Sequence, residues 1–235
     1  MKYFTADLHL CHPFVAATRG FYKQTADIPE QGRRPDGINA FRHSMSEGNF
    51  NALVDVERHD RTIINHINAR VGKQDELYIL GDLSSGGAAS LRRALSLLDG
   101  LHVPPSRRHL ILGNHDGFRI KPSNAADIAV RFGSVSDNLF IDIDGIPAVL
   151  SHVPRYEYLD GSVREGMASN SLEKTLRKHA PRVPYDIIHL YGHTHGRNPD
   201  EFDGWSINVG LDAWNLRPVS EDEIKKILFA TQDEA

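Results

Sequence analysis

Five short runs of this chain end in side chains able to hold a metal ion: Asp7-Leu8-His9, Gly81-Asp82, Gly113-Asn114-His115-Asp116, Ser151-His152 and Gly192-His193-Thr194-His195. Four of them follow strand-like apolar runs, at 2–6, 77–80, 109–112 and 187–191, and a shorter run at 147–150 precedes Ser151-His152. Oxygen and nitrogen donors placed after successive strands converge at one edge of a sheet. In an extended segment Asp7 and His9 would point to the same side, and His193 and His195 repeat that spacing. Asp82 carries two carboxylate oxygens and is the best candidate to bridge two cations. Asn114 offers a carbonyl oxygen and His152 an imidazole nitrogen. Taken singly, each residue has an ordinary reading as a turn former or a satisfied histidine. Their recurrence after strands in one consistent order favours metal binding, in an arrangement that suits two-metal hydrolysis.

The elements that must position these donors are readable around them. Residues 2–6 predict a first strand. The stretch 12–51 is interrupted by Gly20, Pro29, Gly32, Pro35, Gly37 and Gly48, yet it carries Phe14, Phe21, Tyr22, Phe41 and Phe50. It reads as an insertion that caps one side of the site within a single domain spanning residues 1–235. A helix is expected over 54–71, with Val56, Ile63, Ile64 and Ile67 on one face and Glu57, Arg58, Asp60 and Arg61 toward water, ending at Gly72. Further helices are expected at 90–98 and 171–179. A last one runs from Ser220 to about Leu228, opened by the Ser220/Glu223 capping box. Asp144-Gly145 between 139–143 and 146–150 predicts a hairpin. Strands at 186–191 and 205–209 complete the set. Hairpin and crossover signals together fit a pair of mixed sheets with outer helices better than a doubly wound sheet.

Composition sets the outer bounds. A chain of 235 residues, 40% hydrophobic and 25% charged, is an ordinary globular composition with material for a sizeable core. Its formal charge of −4 gives no general electrostatic reason to bind a nucleic-acid backbone. The single cysteine, Cys11, excludes an intrachain disulfide and reads as a small buried side chain. Asp7 and His9 stand where a signal peptide would need an apolar core, and no run is long enough to cross a membrane, so a cytoplasmic, non-membrane protein is expected. Neither Gly-x-Ser-x-Gly nor a glycine-rich dinucleotide loop is present, which argues against serine-hydrolase and dinucleotide-binding readings. The pattern carries no sign of oligomeric state.

The five metal-capable runs, present in order from residue 7 to residue 195, resemble the signature blocks of the calcineurin-like metallophosphoesterases. The stretches Leu110-Ile111-Leu112-Gly113-Asn114-His115-Asp116 and Asn208-Val209-Gly210-Leu211-Asp212-Ala213-Trp214 look like a small bacterial and phage branch of that family. The resemblance implies an α+β fold, a four-layer α/β/β/α sandwich of two mixed sheets flanked by helices, with the site at strand ends. It also implies that Asp7, His9, Asp82 and His195 hold one metal, and that Asp82, Asn114, His152 and His193 hold the second. The expected cofactors are two divalent ions. Manganese ranks first and iron, zinc or nickel follow; the many nitrogen donors argue against calcium.

Such a pair of ions would neutralise phosphate oxygens and activate a water. His115 is expected to stabilise or protonate the departing oxygen, with Asp116 orienting that imidazole. His12 and Arg155, close in sequence to assigned ligands, are the preferred substrate contacts; Arg19, Arg119 and Tyr156 are weaker candidates. Gly86-Gly87 reads as a loop or plain turn, and Trp214 as support for the metal loop or as core. The expected activity is phosphodiester hydrolysis in a small or cyclic nucleotide or another small phosphoester. The alternatives are a nuclease on single-stranded or damaged nucleic acid and a non-catalytic metal-dependent binding module.

Overall fold

The alternation of side chains along the first strands decides which layer lies on which side. In the computed structural model, β1 (Lys2–Thr5), β2 (Glu76–Leu80) and β3 (Arg108–Ile111) run parallel and in register, with Tyr3 opposite Leu77 and Ile79 opposite Leu110. Leu77, Ile79 and Leu110 point to one face, and Phe4, Tyr78, Leu80 and Ile111 to the other. Both faces are apolar because both are covered, as parallel strands require. The structure describes all residues except 35, 118–121, 156–175, 185, 201–203 and 231–235.

The first sheet has the order β4-β3-β2-β1-β9, where β4 is Ser134–Ser136 and β9, Val219–Ser220, is its antiparallel edge. The second has the order β5-β6-β7-β8, built from Asn138–Ile143, Ile146–Ser151, Ile188–Tyr191 and Ser206–Asn208. Its β5/β6 pair is antiparallel through the expected Asp144-Gly145 hairpin, and β6, β7 and β8 are parallel. The inner faces of the two sheets meet in one apolar cluster: Phe4, Leu80 and Ile111 from the first, and Ala148, Leu150, Leu190 and Ile207 from the second. Burying each such Leu, Ile or Phe is worth about 1.5–3 kcal/mol, so this shared layer holds the sandwich shut. A parallel bridge from Ala6 to Gly210 and the Leu211 N–H donating to the Ala6 carbonyl join the sheets at the end where the site lies. This is the expected pair of mixed sheets flanked by helices.

Four short helices occupy the inserted stretch: α1 (Pro13–Thr18), α2 (Glu30–Arg33), α3 (Ile38–His43) and α4 (Glu47–Leu53). They close on an apolar cluster of their own that includes Tyr22, Ile38, Phe41 and Phe50. α5 (Val56–Arg70) follows, capped by the Asp55 carboxylate accepting from the Arg58 N–H, and lays Ile63 and Ile67 on the first sheet with α6 (Ala88–Leu98). One side chain departs from the expected face: Asp60 is buried, because its carboxylate accepts from the Cys11 backbone N–H at 3.0 Å and faces His59 Nδ1 at 2.9 Å. α7 is Pro122–Ala129. Of the helix expected at 171–179, residues 171–175 lie outside the described ones and residues 176–179 are helical. α8 (Glu221–Ala230) opens with the expected capping box, in which the Glu223 N–H donates to Ser220 Oγ and the Ser220 N–H to Glu223 Oε2. Among the described residues no helix is long and apolar enough to cross a membrane.

Candidate metal centre

All of the expected donors sit just past the carboxyl ends of parallel strands. Asp7 and His9 follow β1, Asp82 follows β2, Asn114 and His115 follow β3, His152 follows β6, and His193 and His195 follow β7. The local backbone differs from the extended geometry that the spacing suggested. Asp7, His9, Asp82, His193 and His195 all have left-handed φ, between 44° and 72°. A non-glycine residue there costs on the order of 1–3 kcal/mol, and such strain collects where a side chain must be aimed. Between Asp7 and His9 the intervening Leu8 is turned into the core. Glycine permits the crowding. A Cβ on Gly113 would lie 2.3 Å from Asp82 Oδ1, and one on Gly192 would lie 2.7 Å from Asp7 Oδ2.

The donor atoms gather around Asp82. Its Oδ2 lies 3.6 Å from His9 Nε2 and 3.5 Å from His152 Nε2. His9 Nε2 and His195 Nε2 are 3.2 Å apart. On the other side Asn114 Oδ1 is 2.8 Å from His152 Nε2 and 2.9 Å from His193 Nδ1. Asp7, His9 and His195 form one group with all donor atoms within 4.8 Å of one another, and Asp7, Asp82 and His152 another. Ligands about 2.0–2.2 Å from a shared ion stand roughly 3–3.5 Å from each other, which these separations match.

The hydrogen bonds show why a cation fits. His152 Nδ1 faces the Leu80 carbonyl at 2.8 Å, so that nitrogen carries the proton and Nε2 is left to face the oxygens of Asn114 and Asp82. His195 Nδ1 faces Asp212 Oδ2 at 2.8 Å, which likewise leaves its Nε2 toward His9. At His152 an acceptor nitrogen therefore faces acceptor oxygens, and positive charge is needed between them. Without a metal, protons take that place. Burial pushes the Asp82 carboxyl up to about 6, with Asp116 and Asp7 adding to it and His152 opposing. Burial works against charging His152, but the Asp82 and Asp7 carboxylates outweigh it and raise its proton affinity. His193 goes the other way, pushed down to about 3 by burial and by His152. The residues present thus fit a pair of divalent cations.

The neighbouring candidates divide sharply. His115 is partly exposed, its backbone N–H donates to Asp82 Oδ1 at 2.8 Å, and its Nε2 lies 4.0 Å from Asp82 Oδ2. Asp116 does something other than orient it. Its carboxylate accepts from the backbone N–H groups of Asp82, Leu83 and Gly113, at 2.8, 3.2 and 2.9 Å, and so ties two metal loops together. His115 Nδ1 is 3.3 Å from the Ser85 carbonyl instead. His12 caps α1, with its Nδ1 accepting from the Val15 N–H, and its ring lies 5.2 Å from that of His9 and 6.1 Å from that of His115. Burial and His115 push its pKa down to about 4.

Arg155 is corrected outright as a substrate contact. It is fully buried, and its guanidinium donates to Ser206 Oγ and to the carbonyls of Val183, Pro184 and Ile187, which leaves it pinning the second sheet. Arg119 and Tyr156 lie outside the described residues. Gly86 has a left-handed φ of 87°, and the extended Gly87 is the N-cap of α6. Trp214 donates from Nε1 to the Asn208 carbonyl at 2.8 Å, while the Asn208 amide donates to Thr194 Oγ1 at 3.1 Å and so props the His193–His195 loop. Asp212 and Asn208 went unassigned from sequence, although both stand in the quoted 208–214 stretch and flank the end of β8. That strand-end position was the available signal.

Comparison with known proteins agrees with this geometry. Residues 3–197 match the family model described as calcineurin-like phosphoesterase. The Gene 66 protein of Mycobacterium phage L5 is 31% identical over 197 residues, covering 78% of this chain and 87% of its own. That of Mycobacterium phage D29 is 33% identical over 187 residues, covering 72% and 83%. An uncharacterized protein of Methanocaldococcus jannaschii, MJ1445, is 29% identical over 180 residues, covering 74% and 77%. Among solved structures, the protein of unknown function AQ665 from Aquifex aeolicus superposes with a TM-score of 0.56 over 97% of this chain and 98% of its own. At 19% identity that likeness speaks for the fold alone.

Proposed function

The chain belongs to the calcineurin-like metallophosphoesterase family, and from that premise we propose that it hydrolyses phosphodiester bonds in small or cyclic nucleotides using two divalent ions. The observation that carries the reading is the convergence of imidazole nitrogens and side-chain oxygens around Asp82. Asp7, His9, Asp82 and His195 would hold one ion, and Asp82, Asn114, His152 and His193 the other. When bound, such ions offset phosphate charge and acidify a water at neutral pH. Manganese is the preferred metal, since imidazole, carboxylate and amide oxygen suit it without any thiolate.

The protein's own groups supply the rest. His115 stands at the open edge of the site, where its imidazole can give a proton to the departing oxygen. His12, whose Nδ1 is committed to the Val15 N–H, is left with an Nε2–H to donate to a phosphate oxygen. Among the described residues, His12 and His115 bring their rings to 5.2 and 5.0 Å from that of the donor His9, where a phosphate group would sit. The inserted segment would act as a cap within one domain. A single cysteine suits the reducing cytoplasm, where we place the protein.

A panel of metals against phosphomonoesters, linear diesters, 2',3'-cyclic nucleotides and single-stranded DNA and RNA tests the proposal. Manganese-restored turnover, fastest on small diesters, is expected. Preference for a polymer would move the substrate to nucleic acid, and no turnover under full metal occupancy would favour a binding module.

A further inference from the structure

The two halves of the metal centre are held by different parts of the molecule. His152 is oriented by the Leu80 carbonyl, a neutral group of the first sheet. His195 is oriented by the Asp212 carboxylate, and Asp212 is in turn gripped by Arg19 from the inserted segment, where it caps the carboxyl end of α1. The Arg19 side chain is 3% exposed. Its Nε donates to Asp212 Oδ1 at 2.9 Å and its Nη2 to Asp212 Oδ2 at 2.8 Å, a bidentate fork. Nη2 also donates to the Asp7 carbonyl at 2.8 Å and Nη1 to the Leu8 carbonyl at 3.3 Å, within the left-handed segment that aims Asp7 and His9. Nη1 lies 3.1 Å from His59 Nε2, and His59 Nδ1 faces Asp60, so the acceptor at Nε2 is fixed as well. The guanidinium thus joins α1, α5, the β1 loop and the loop after β8 at one point.

We propose that Arg19 and Asp212 are positioning residues that fix Asp7 and His195, so that the inserted segment governs the affinity of one ion and leaves the other to the sheets. This rests on the two-ion reading above. A carboxylate behind a ligating imidazole fixes its tautomer and raises its basicity, and removing such a partner costs 10–100-fold in metal affinity as an order of magnitude. The Arg19 fork engages both oxygens of that carboxylate and so fixes the one that faces His195 Nδ1. Linkage also runs backwards, because an ion gripped through Asp212 stabilises the segment that carries Arg19.

Manganese titrations of the intact protein and of Asp212→Asn, Arg19→Ala and Arg19→Lys, followed by calorimetry, test the proposal. His152→Asn identifies the binding phase that belongs to the other ion. Asp212→Asn should weaken one phase about 10–100-fold and leave the second within about twofold. Arg19→Lys, which keeps the charge but loses the fork, should fall between Arg19→Ala and the intact protein. Hydrogen exchange at residues 13–20 should slow on manganese loading in the intact protein, and this protection should be lost in Asp212→Asn. Equal weakening of both phases, no weakening of either, or unchanged protection in Asp212→Asn would overturn the inference; if Arg19→Ala does not fold, Asp212→Asn and Arg19→Lys still decide it. Failure of the unaltered protein to bind two equivalents would instead remove the reading on which it rests.

Discussion

Two adjacent residues, His115 and Asp116, separate chemistry from scaffolding. The His115 ring reaches toward Asp82 from a half-open position, whereas the Asp116 carboxylate is spent on three backbone N–H groups of the loops after β2 and β3. Their substitutions should therefore fail differently. His115→Gln should keep both ions and lower kcat on a poorly activated diester by roughly 10²–10⁴-fold, the range for losing one proton-transfer group. Asp116→Ala strands three N–H donors and should cost about 3 kcal/mol of stability along with metal affinity. Urea unfolding and elemental analysis of both variants, set beside turnover, check the contrast. Equal stability losses would show that the two residues share one role.

At the scale of elements, local signals that carry their own mechanism were the readable ones. The Asp144-Gly145 hairpin and the α8 capping box could be found from residue types because turn and cap chemistry is local. The capping box also yields a prediction with a sign. Burial would raise the Glu223 pKa, but the Ser220 N–H and hydroxyl, aided by Arg70 and Arg217, outweigh it and hold it below the ordinary value. The folded protein then binds fewer protons there than the unfolded chain, so the contribution is full above about pH 4.3 and is lost as pH falls through the folded pKa. Glu223→Gln should cost about 1 kcal/mol at pH 7, and its deficit should shrink toward pH 3. Urea midpoints at the two pH values measure this, and a deficit that grew on acidification would reverse the assignment. Strands β4 and β9 escaped sequence reading because three and two residues are too few for a period to show.

Across the whole molecule, the donors were legible and their supports were not. Metal-capable residues announce themselves by type and by position after strands, so the set around Asp82 could be assembled from spacing and resemblance. The left-handed backbone at Asp7 and His9, the burial of Arg155, and the Arg19–Asp212 fork depend on which distant segments meet, and no local period encodes that. The inserted segment shows the same limit. Its aromatic residues indicated that it would pack, but its grip on the β1 loop came only with the fold. The most direct measurement is anomalous scattering from a crystal equilibrated with manganese. Two peaks about 3.5–4 Å apart with the Asp82 carboxylate between them, one beside His9 and His195 and the other beside His152 and His193, are the predicted result. A single peak, or peaks remote from Asp82, would contradict it.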